Sequence, residues 1–583
     1  MNKFRFYLLG LSLAATISMT ASDKPARQMN YWPDGRDIVC VNGQNKYTRA
    51  LYGTHTYWRL ETSDRPIFAT VNNKKDCRNI QLYLIYNKGE QNLTDATFCE
   101  ARYRGGRRIY LLRDERWPKG AEIRLIAIAS MREESALWQA ELVGFSTGTQ
   151  LKAVMSDTKG QTFYRGADVG TDDLTQLDGS GKNKKTAASS SQNSENAENS
   201  KSTRLYLILK NNIDLHFLPN DEGQQRMSEE MAVINELTGR VEFTTPDPFI
   251  NVLGANLVAA ADGYWDGQTW LHGCIGWRSP LAGWRGGYVG DALGWNDRSK
   301  SHYDAYARSQ VKNRPQTIFG ATQDEKKNLA RARTEWGTGM YSNGYICRLP
   351  NRDDLMHHYD MNLNYIDELL WHFCYDADPA YLRKMWPVLK LHLEWEKRNW
   401  DPDGDHLYDA YCCIWASDAL YYNGGAVTHS TAYNYRGNLL AARIAEIIGE
   451  DPKPYANEAA AILKAMNETL WIDDEGHWAE YKDLMGLKRL HKNAALWTIY
   501  TPIDCGACSP EQAYRATRWV DENLPRIPIK VASPTGVVLN QLFTFPTTTW
   551  MPYDWSTNNV AHEEVANMAL AYFQAGRDDD GFL

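Results

Sequence analysis

The spacing of hydrophobic and polar positions changes near residue 245. Before that point, short runs rich in Ile, Leu and Tyr alternate with turn-forming Asn, Gly, Asp and Lys. Such runs predict β-strands, because β-branched and aromatic side chains suit a half-buried pleated surface. The clearest runs are residues 80–86, 109–112, 123–128 and 205–209. Residues 29–240 are therefore predicted to form a β-rich domain.

One segment of this half differs from the rest. Residues 171–202 consist mainly of Ser, Asn, Lys and Asp and contain hardly any large apolar side chain. A segment of this composition buries too little apolar surface to offset the entropy lost on ordering. We therefore expect a disordered surface insertion at residues 171–202.

After residue 245 the hydrophobic positions follow a helical period. Apolar side chains recur on one face of residues 363–373, which predicts an amphipathic helix. The same reasoning predicts further helices near residues 249–264, 303–311, 324–334, 379–399, 430–448, 454–470, 491–500, 510–523 and 561–575.

The connections between these helices alternate between short and long. The short ones carry Pro near the next helix start, and the long ones hold most of the Trp, Gly, Asp and His. In antiparallel helical hairpins the short turns lie at one end and the long loops at the other. The pattern therefore predicts binding chemistry on the long-loop face.

Composition and charge narrow the class of partner. The 583-residue chain has a net charge of −8 and no clustered basic run, which argues against a nucleic-acid partner. It contains 21 Trp and 33 Tyr against 15 Phe. The faces of Trp and Tyr rings stack on sugars, and their N–H and O–H groups form hydrogen bonds at the ring edge. A Trp-rich hydrophobic core explains the same Trp and Tyr counts.

The first residues have the features of an export signal. Lys3 and Arg5 precede an apolar stretch at residues 6–17, and small side chains follow at residues 18–22. This pattern predicts a signal peptide over residues 1–22. No later segment is apolar enough to cross a membrane, so the mature protein is expected to be periplasmic or secreted.

The ten Cys residues have irregular spacing. Cys412–Cys413 are adjacent, and Cys505 and Cys508 form a CxxC pair. A metal cluster and a redox pair are alternative interpretations, but buried thiols that pack as small hydrophobic side chains are preferred. We expect no metal and no cofactor.

An acidic run at residues 401–409 has some features of a calcium loop. Asp401, Asp403 and Asp405 have the spacing of such a loop, but the twelfth position is Cys412, where an EF-hand needs a bidentate carboxylate. An Asp-rich turn that ends a helix is the preferred interpretation.

Three segments carry a family resemblance. Residues 401–409 (DPDGDHLYD), 414–419 (IWASDA) and 428–435 (THSTAYNY) resemble the six-hairpin glycosidases, the superfamily of glucoamylase, trehalase and the rhamnosidases. The resemblance implies an (α/α)6 barrel over residues 245–583, preceded by a β-sandwich over residues 29–240. Residues 283–297 look most like an uncharacterised branch found in polysaccharide-degradation systems.

The resemblance also implies a pair of catalytic carboxyls. Asp418, in a long loop close to Trp415, corresponds to the general acid of inverting relatives, although a helix cap is an alternative role. Asp554 is the candidate partner base. Glu563 and Glu564 are interpreted as acids that favour the positive end of a helix dipole.

Other polar and aromatic side chains on the long loops are candidate sugar contacts, although packing explains any single one equally well. They are Trp284, Arg285, Trp295, Asp297, Trp336, Arg352, His358, Trp415, Trp555 and Asn558.

The resulting interpretation is an exported glycoside hydrolase that acts on a polysaccharide or oligosaccharide with inversion. One alternative is a polysaccharide lyase that uses His358, Tyr359 and Asn362, and another is a non-catalytic glycan-binding protein. Five outer and five inner helices are counted where the barrel needs about twelve, so we expect the last hairpin to be lacking. The oligomeric state stays open.

Overall fold

The structure of the protein is a computed structural model. It describes residues 26–73, 75–86, 89–160, 173–190, 202–273, 278–283, 285–315, 322–324, 329–331, 335–356, 359–410, 412–413, 420–421, 425–484, 486–534, 536–548 and 560–583. The predicted signal peptide therefore lies outside the described residues. Strands dominate the N-terminal part of the chain and helices dominate the C-terminal part.

The N-terminal part contains sixteen strands among the described residues. They are β1 (Arg27–Gln28), β2 (Trp32–Asp34), β3 (Asp37–Val41), β4 (Tyr47–Leu51), β5 (Arg59–Ser63), β6 (Ile67–Asn73), β7 (Asp76–Tyr86), β8 (Gly89–Asn92), β9 (Phe98–Arg104), β10 (Arg107–Arg113), β11 (Glu122–Ala129), β12 (Ser135–Val143), β13 (Gln150–Thr158), β14 (Gly179–Ser190), β15 (Ser202–Lys210) and β16 (Asp214–Leu218). The four runs predicted from sequence lie in β7, β10, β11 and β15, which confirms them as strands.

Two sheets account for nearly all of these strands. One has eight strands in the order β16-β15-β12-β11-β10-β9-β3-β2. The other has the order β14-β13-β7-β6-β5-β4, with β8 paired to β7. Alternate side chains of β7 and β12 are buried, so each sheet presents one apolar face.

The apolar faces of the two sheets pack against each other. Phe68 of one sheet meets Tyr110 and Trp138 of the other edge-on, with ring centroids 5.8 Å and 5.5 Å apart. The strand-rich part also contains two buried ion pairs, Arg59 Nε to Glu61 Oε1 at 2.5 Å and Arg108 to Asp64 at 2.8 Å. Buried charges need such partners because each ion has lost its hydration.

The expected disorder of residues 171–202 is wrong for the part that is described. β14 pairs antiparallel with β13, and a 3-10 helix (Leu174–Leu177) precedes it. Strand pairing uses backbone groups, so β14 needs few apolar side chains to form. Its lysines and serines suit an edge strand, where charge hinders pairing with other chains.

The C-terminal part is built from helices. Together with the helix that follows β16, the described residues contain α1 (Asn220–Thr238), α2 (Pro248–Asn251), α3 (Leu253–Gly263), α4 (Tyr288–Ala292), α5 (Asn296–Ala307), α6 (Asp360–Tyr375), α7 (Pro379–Trp400), α8 (Thr428–Ile448), α9 (Lys453–Ala465), α10 (Leu496–Asp504), α11 (Pro510–Asn523), α12 (His562–Gln574) and α13 (Asp578–Phe582). A π-helical turn, Met466–Leu470, extends α9.

From α6 onward the helices form two layers. α6, α8, α10 and α12 contact one another in succession. α6 and α8 are buried on most sides, whereas α9 and α11 bury one face. Short turns follow α6, α8 and α10, as the alternation of connections predicted.

The outer helices begin at residues suited to helix starts. Asp378 accepts a hydrogen bond from Ala380 N at 2.9 Å ahead of Pro379 in α7. Ser509 and Gln512 form a reciprocal capping box at the start of α11. Such caps satisfy backbone N–H groups that lack helical partners.

The inner helices α8, α10 and α12 begin close together. Glu480, fully buried, accepts a hydrogen bond from Ala495 N at 2.8 Å, and its backbone oxygen accepts one from Thr428 N at 3.2 Å. Thr547 accepts from Leu496 N at 3.1 Å and from Ala561 N at 3.0 Å. The first turns of these helices therefore meet at one end of the helical layers.

Short strands occupy the long connections and include one correction. Ten are described: β17 (Thr322–Asp324), β18 (Leu329–Arg331), β19 (Cys412–Cys413), β20 (Leu420–Tyr421), β21 (Trp471–Ile472), β22 (His477–Trp478), β23 (Tyr481–Lys482), β24 (Leu490–His491), β25 (Ile527–Ala532) and β26 (Val538–Thr544). β17 and β18 pair with each other, so the helix predicted at residues 324–334 is wrong there. Polar side chains at helical spacing did not distinguish a helix from a hairpin.

A small sheet joins the start of the described chain to residues 527–544. β25 pairs with β26, and β1 adds to β25 in parallel, with Gln28 opposite Ala532. The seven described cysteines whose thiols are placed are all free. Five of them are buried, as the preferred interpretation predicted, whereas Cys508 is half-buried and Cys374 is exposed. Among the described residues, no helix has the length and apolar character needed to cross a membrane.

Candidate active site

Most of the predicted catalytic and sugar-binding residues lie outside the described residues. They are Trp284, His358, Trp415, Asp418, Asp554, Trp555 and Asn558. Their roles therefore stay predictions. Arg285, Trp295, Asp297, Trp336 and Arg352 are described.

A cavity of about 280 Å³ lies beside Arg285, between the inner helices. Its walls come from α4, α6, α8, α10 and α12 and from the turn that precedes α4. The lining side chains are Arg285, Tyr288, Trp371, Tyr433, Tyr500, Thr501, Asp504, Asn567 and Leu570. Four aromatic rings and several polar groups therefore face one space, as in sites that bind small molecules.

Arg285 contacts two inner helices. Its guanidinium donates to Tyr500 Oη at 2.6 Å and lies 2.9 Å from Glu563 Oε1 and 3.4 Å from Glu564 Oε1. Burial alone would lower the pKa of Arg285, but Tyr500, Glu564 and Glu563 outweigh burial and raise it well above its usual range. Arg285 is therefore a permanent cation that joins α10 to α12.

The backbone of Arg285 is held in an uncommon conformation. Its φ of +62° is left-handed, which costs about 1–2 kcal/mol for a residue with a Cβ. Buried Glu368 of α6 accepts hydrogen bonds from the backbone of Arg285 and from Gly287 N. A side chain at Gly287 would overlap Glu368, and one at Gly283 would overlap the backbone of α6. The glycines therefore let this turn lie directly on α6 and aim Arg285.

Glu563 and Glu564 occupy the first turn of α12 and differ in exposure. The Glu564 side chain is 2% exposed and that of Glu563 is 48% exposed. Burial raises the pKa of Glu564 to about 7, while Arg285 and the hydrogen bond from Tyr500 oppose the rise. Glu564 can therefore hold or release a proton near neutral pH, and Glu563 remains open to solvent. Sequence reasoning gave both residues a helix-dipole role and missed Arg285 as their partner.

A second charged network holds two of the lining residues, Tyr288 and Asp504, in place. Arg436 binds Asp367 through two hydrogen bonds of 2.7 Å and also donates to Asp504 Oδ2 at 2.8 Å. Tyr288 donates a short hydrogen bond to Asp367. These residues belong to four elements, so the network fixes the wall rather than offering a free charge. Their sequence signal is a set of polar positions within otherwise apolar inner helices.

α8 contributes His429 and Tyr433, one helical turn apart. His429 is fully buried, and burial together with the nearby Arg285 lowers its pKa to about 3. The imidazole is therefore neutral at physiological pH. A neutral ring beside Arg285 adds no second positive charge to the site.

Trp295 and Asp297 do not line the Arg285 cavity. Trp295 is 7% exposed, its ring lies 5.8 Å from that of Trp270, and the Arg298 guanidinium lies 4.3 Å above it. It lines a separate cavity of about 390 Å³. Asp297 lies in the exposed first turn of α5. The structure thus gives Trp295 a packing environment.

Trp336 and Arg352 also lie away from this cavity. Trp336 is half-buried, with the Arg314 guanidinium 3.8 Å above its ring. Arg352 is exposed and pairs with Asp354 at 2.7 Å. Of the five described candidates, Arg285 alone lines the cavity between the inner helices.

Two residues of the predicted lyase set are engaged in the core. Tyr359 donates to Glu396 at 2.8 Å, and Asn362 accepts from Ile346 N at 2.5 Å. Both side chains are fully buried. Their hydrogen bonds hold the start of α6 to α7 and to the preceding loop.

Residues of the acidic run at 401–409 belong to a group of possible metal ligands, and the ammonium of a lysine lies within that group. Asp401, His406 and Glu458 have ligand atoms close enough to hold a metal ion. The Lys397 ammonium lies among them, 2.9 Å from Glu458 and 3.2 Å from His406, and it donates a short hydrogen bond to Asp401. The ammonium supplies positive charge to this group. Asp401, Asp403 and Asp405, the residues of the predicted loop, also have ligand atoms close enough to one another to hold a metal ion. The preference for an Asp-rich turn over calcium therefore stays a prediction.

A family model described as "Domain of unknown function (DUF4450)" matches residues 77–190 of this chain. That segment runs from β7 to the end of β14 and lies within the two sheets. No curated protein matches the chain by sequence.

Several solved structures are similar to the chain. A bacterial glucoamylase complexed with acarbose has a TM-score of 0.45 and 12% identity, over 96% of this chain and 89% of the other. A GH78 family rhamnosidase of Bacillus sp. GL1 has a TM-score of 0.38 and 12% identity, over 71% of this chain and 41% of the other. A rhamnosidase from Klebsiella oxytoca with rhamnose bound has a TM-score of 0.32 and 13% identity, over 51% and 46%. The chain therefore spans less than half the length of these two rhamnosidases.

Proposed function

We propose that the protein is an exported glycoside hydrolase that cleaves a polysaccharide or oligosaccharide within a six-hairpin (α/α)6 barrel. The observation that carries the proposal is the cluster of Arg285, Tyr500, Glu563 and Glu564 beside an aromatic cavity. Hydrolysis of a glycosidic bond needs two carboxyl groups and a surface on which sugar rings stack. The succession of contacting inner helices supports the barrel.

The reaction assigns one carboxyl as acid and one as base. A protonated carboxyl gives its proton to the leaving oxygen while a carboxylate takes a proton from the attacking water. The C–O bond breaks as the water oxygen joins the anomeric carbon. We assign the acid to Asp418, on the predicted long loop near Trp415.

Two carboxylates are candidates for the base. Asp554 is the candidate from the family resemblance. Glu563 is the second, because it is half-exposed and forms an ion pair with Arg285 at 2.9 Å. An inverting mechanism places the acid and the base about 6.5–9.5 Å apart, which leaves room for water.

The test combines substrate screening with three isosteric variants. The purified chain is incubated with a panel of plant and microbial polysaccharides, and new reducing ends and absorbance at about 232 nm are measured. We expect reducing ends without new absorbance from at least one substrate. Unsaturated products would instead establish the lyase, and binding without products the glycan-binding alternative.

The variants Asp418→Asn, Asp554→Asn and Glu563→Gln then assign the roles. Asp418→Asn and one of the other two should each lower kcat by about 10²–10⁴-fold with little change in unfolding temperature. The variant of the remaining carboxylate serves as the matched control. Proton NMR of the first-formed anomer should show inversion, and retention would contradict the mechanism.

Export is a separate part of the proposal. Sequencing the N-terminus of the protein recovered from the periplasm or medium should place cleavage near residue 22. An intact N-terminus on a cytoplasmic protein would contradict it.

A further inference from the structure

A second cavity lies in the strand-rich part of the molecule, where three separated segments meet. Its volume is about 530 Å³, within the range of about 300–1,000 Å³ that is usual for small-molecule sites. The segments are residues 28–32, the turn at residues 40–46 that joins β3 to β4, and Pro534 of the turn between β25 and β26. The proposed hydrolase function uses none of these residues.

The turn at residues 40–46 is a rigid wall. Asn42 has a left-handed backbone with φ of +49°, and its Oδ1 accepts a hydrogen bond from Cys99 N at 2.9 Å. The Gly43 oxygen accepts from Arg65 Nε at 2.8 Å. A Cβ at Gly43 would lie 2.5 Å from the Cβ of Asp64, so glycine brings this wall close to the cavity floor.

The opposite wall is held by strand pairing with a distant part of the chain. β1 pairs with β25, and Met29 N donates to Ala532 O at 2.8 Å. Trp32 begins β2, where it pairs with Val39 of β3. Both walls are therefore held by hydrogen bonds to the backbone, which lowers the conformational entropy that the protein loses when a ligand binds.

Asp64 lies at the floor of the cavity, and its carboxylate accepts hydrogen bonds from three side chains. It is 4% exposed and accepts from Thr48 Oγ1 and from Arg108, both at 2.8 Å, and from Tyr31 Oη. Burial first, and then the hydrogen bond to Asp64, raise the pKa of Tyr31 to about 12. The Tyr31 hydroxyl therefore keeps its proton for Asp64 and offers its oxygen to a ligand as an acceptor.

The rim completes a polar lining with one aromatic face. Half-buried Trp32 lies near the exposed amides of Gln28, Asn30 and Gln44. An amide both donates and accepts hydrogen bonds, which matches a sugar hydroxyl, and a Trp face packs against sugar C–H groups. Lys46 is the one cationic side chain among the described residues that line the cavity, so a ligand with several phosphates would lack counter-charges.

We propose that this cavity is a saccharide-binding site, separate from the Arg285 cavity, for a neutral sugar. It holds the sugar by stacking on Trp32 and by hydrogen bonds to Tyr31 and the rim amides. The site binds without cleaving, because Arg108, Thr48 and Tyr31 already satisfy Asp64, the carboxylate on its floor.

The test is equilibrium binding by calorimetry on the full chain carrying Asp418→Asn, so that the proposed hydrolysis does not consume the probes. The probes are hexasaccharides of the cello, xylo, manno and malto series, with hexagalacturonate as the highly charged comparison. The variants are Tyr31→Phe and Trp32→Ala, and Tyr83→Phe is the matched control. Tyr83 lies in the same part of the molecule and donates to Gln81, but it does not line the cavity.

We expect at least one neutral probe to bind, with Kd raised about fivefold to tenfold by Tyr31→Phe and further by Trp32→Ala. Tyr83→Phe and the Arg285-cavity variant Tyr500→Phe should leave this Kd unchanged. If Tyr31→Phe or Trp32→Ala lowers the unfolding temperature, Gln44→Ala on the exposed rim is used in place of that variant. We expect Gln44→Ala to raise Kd as well.

Three results would overturn the proposal. They are no binding by any neutral probe at millimolar concentration, a Kd that the Tyr31, Trp32 and Gln44 variants leave unchanged, and binding of hexagalacturonate in preference to every neutral probe. If the protein binds a neutral probe at this cavity but produces no reducing ends from any substrate, the saccharide-binding site is supported and the proposed hydrolase function is contradicted.

Discussion

Tyr500 and Glu564 share a hydrogen bond of 2.5 Å between α10 and α12, and Arg285 contacts both side chains. Two inner helices are therefore coupled through one hydroxyl, one carboxyl and one guanidinium. Arg285 lowers the pKa of Glu564, and the charge on Glu564 in turn attracts the Arg285 guanidinium.

Replacing Tyr500 with Phe should lower catalytic turnover without unfolding the protein. The variant removes one hydrogen bond from Glu564 and one partner of Arg285, so we expect kcat to fall about tenfold. Because the Tyr500 hydrogen bond lowers the pKa of Glu564, that pKa should also rise. Steady-state kinetics across pH would measure both effects. Tyr455→Phe on α9 is the control, and an equal loss in that variant would contradict a specific role for Tyr500.

Replacing Arg285 with Met should destabilise the protein more at pH 8 than at pH 5. Glu564, with a pKa of about 7, is protonated at pH 5 and ionised at pH 8. Arg285 lowers the pKa of Glu564, so in the variant the buried carboxyl keeps its proton at pH 8. The extra loss at pH 8 should be about 1.4 kcal/mol, which corresponds to the one pKa unit between 7 and 8. Thermal unfolding at the two pH values would measure the difference.

The double variant Arg285→Met/Glu564→Gln provides the control for this prediction. It removes the titrating carboxyl together with the cation, so its loss of stability should be similar at pH 5 and pH 8. A single variant that loses equal stability at both values would show that Arg285 acts by packing alone.

Glu396 should make stability fall as pH rises. Burial raises its pKa to about 8, against hydrogen bonds from Asn434 and Tyr359. The folded protein keeps the proton of Glu396 at pH values where the unfolded chain, with an ordinary pKa of 4.5, has lost it. The stabilisation that this proton provides is therefore fully present below about pH 4.5. It is lost progressively as pH rises through 8.

The variant Glu396→Gln mimics the protonated acid and tests this prediction. We expect nearly unchanged stability at pH 5 and a gain of about 1–3 kcal/mol at pH 8, because one pKa unit corresponds to about 1.4 kcal/mol. Urea unfolding at both pH values would measure it. A gain that is equal at the two values would contradict the assigned pKa.

The buried pair Arg59–Glu61 should be costly to break and inexpensive to replace. Glu61→Gln leaves a buried guanidinium without its carboxylate, which should lower the free energy of unfolding by about 3–5 kcal/mol. Arg59→Met/Glu61→Leu removes both charges and should be close to neutral. Glu122→Gln, which breaks exposed pairs with Arg113 and Arg124, is the control and should cost less than about 1 kcal/mol. A double variant as unstable as Glu61→Gln would show that the pair is needed for packing.

Local patterns predicted four of the sixteen N-terminal strands and the helices from α6 to α12, but they missed α1, which lies within the segment interpreted as strands. The strands at β7, β10, β11 and β15 and the helices from α6 to α12 have strong two-residue or helical periods, so their own sequences identify them. β14 was missed because its partner β13 stabilises it through the backbone, which composition does not reveal. The hairpin of β17 and β18 likewise depends on pairing rather than on period.

The site was predicted less fully because its contacts join distant parts of the chain. The glycine-rich segment around Arg285 indicated a close approach, and the structure seats that segment on α6. Glu563 and Glu564 looked like ordinary acids at a helix start, since the guanidinium beside them comes from a turn before α4. Trp295 resembled a sugar contact by type alone, and its packing against Trp270 and Arg298 became visible only in the structure.

β1 cannot pair with β25 until the ribosome has synthesised the chain between them. Gln28 and Ala532 are opposite each other, yet 504 positions separate them. At about 5–20 residues per second, the ribosome needs roughly 25–100 s to make the intervening chain. Throughout that interval β1 lacks its partner strand and the second cavity lacks one wall. The saccharide site therefore comes into existence near the end of translation, and a nascent chain that is released early lacks it.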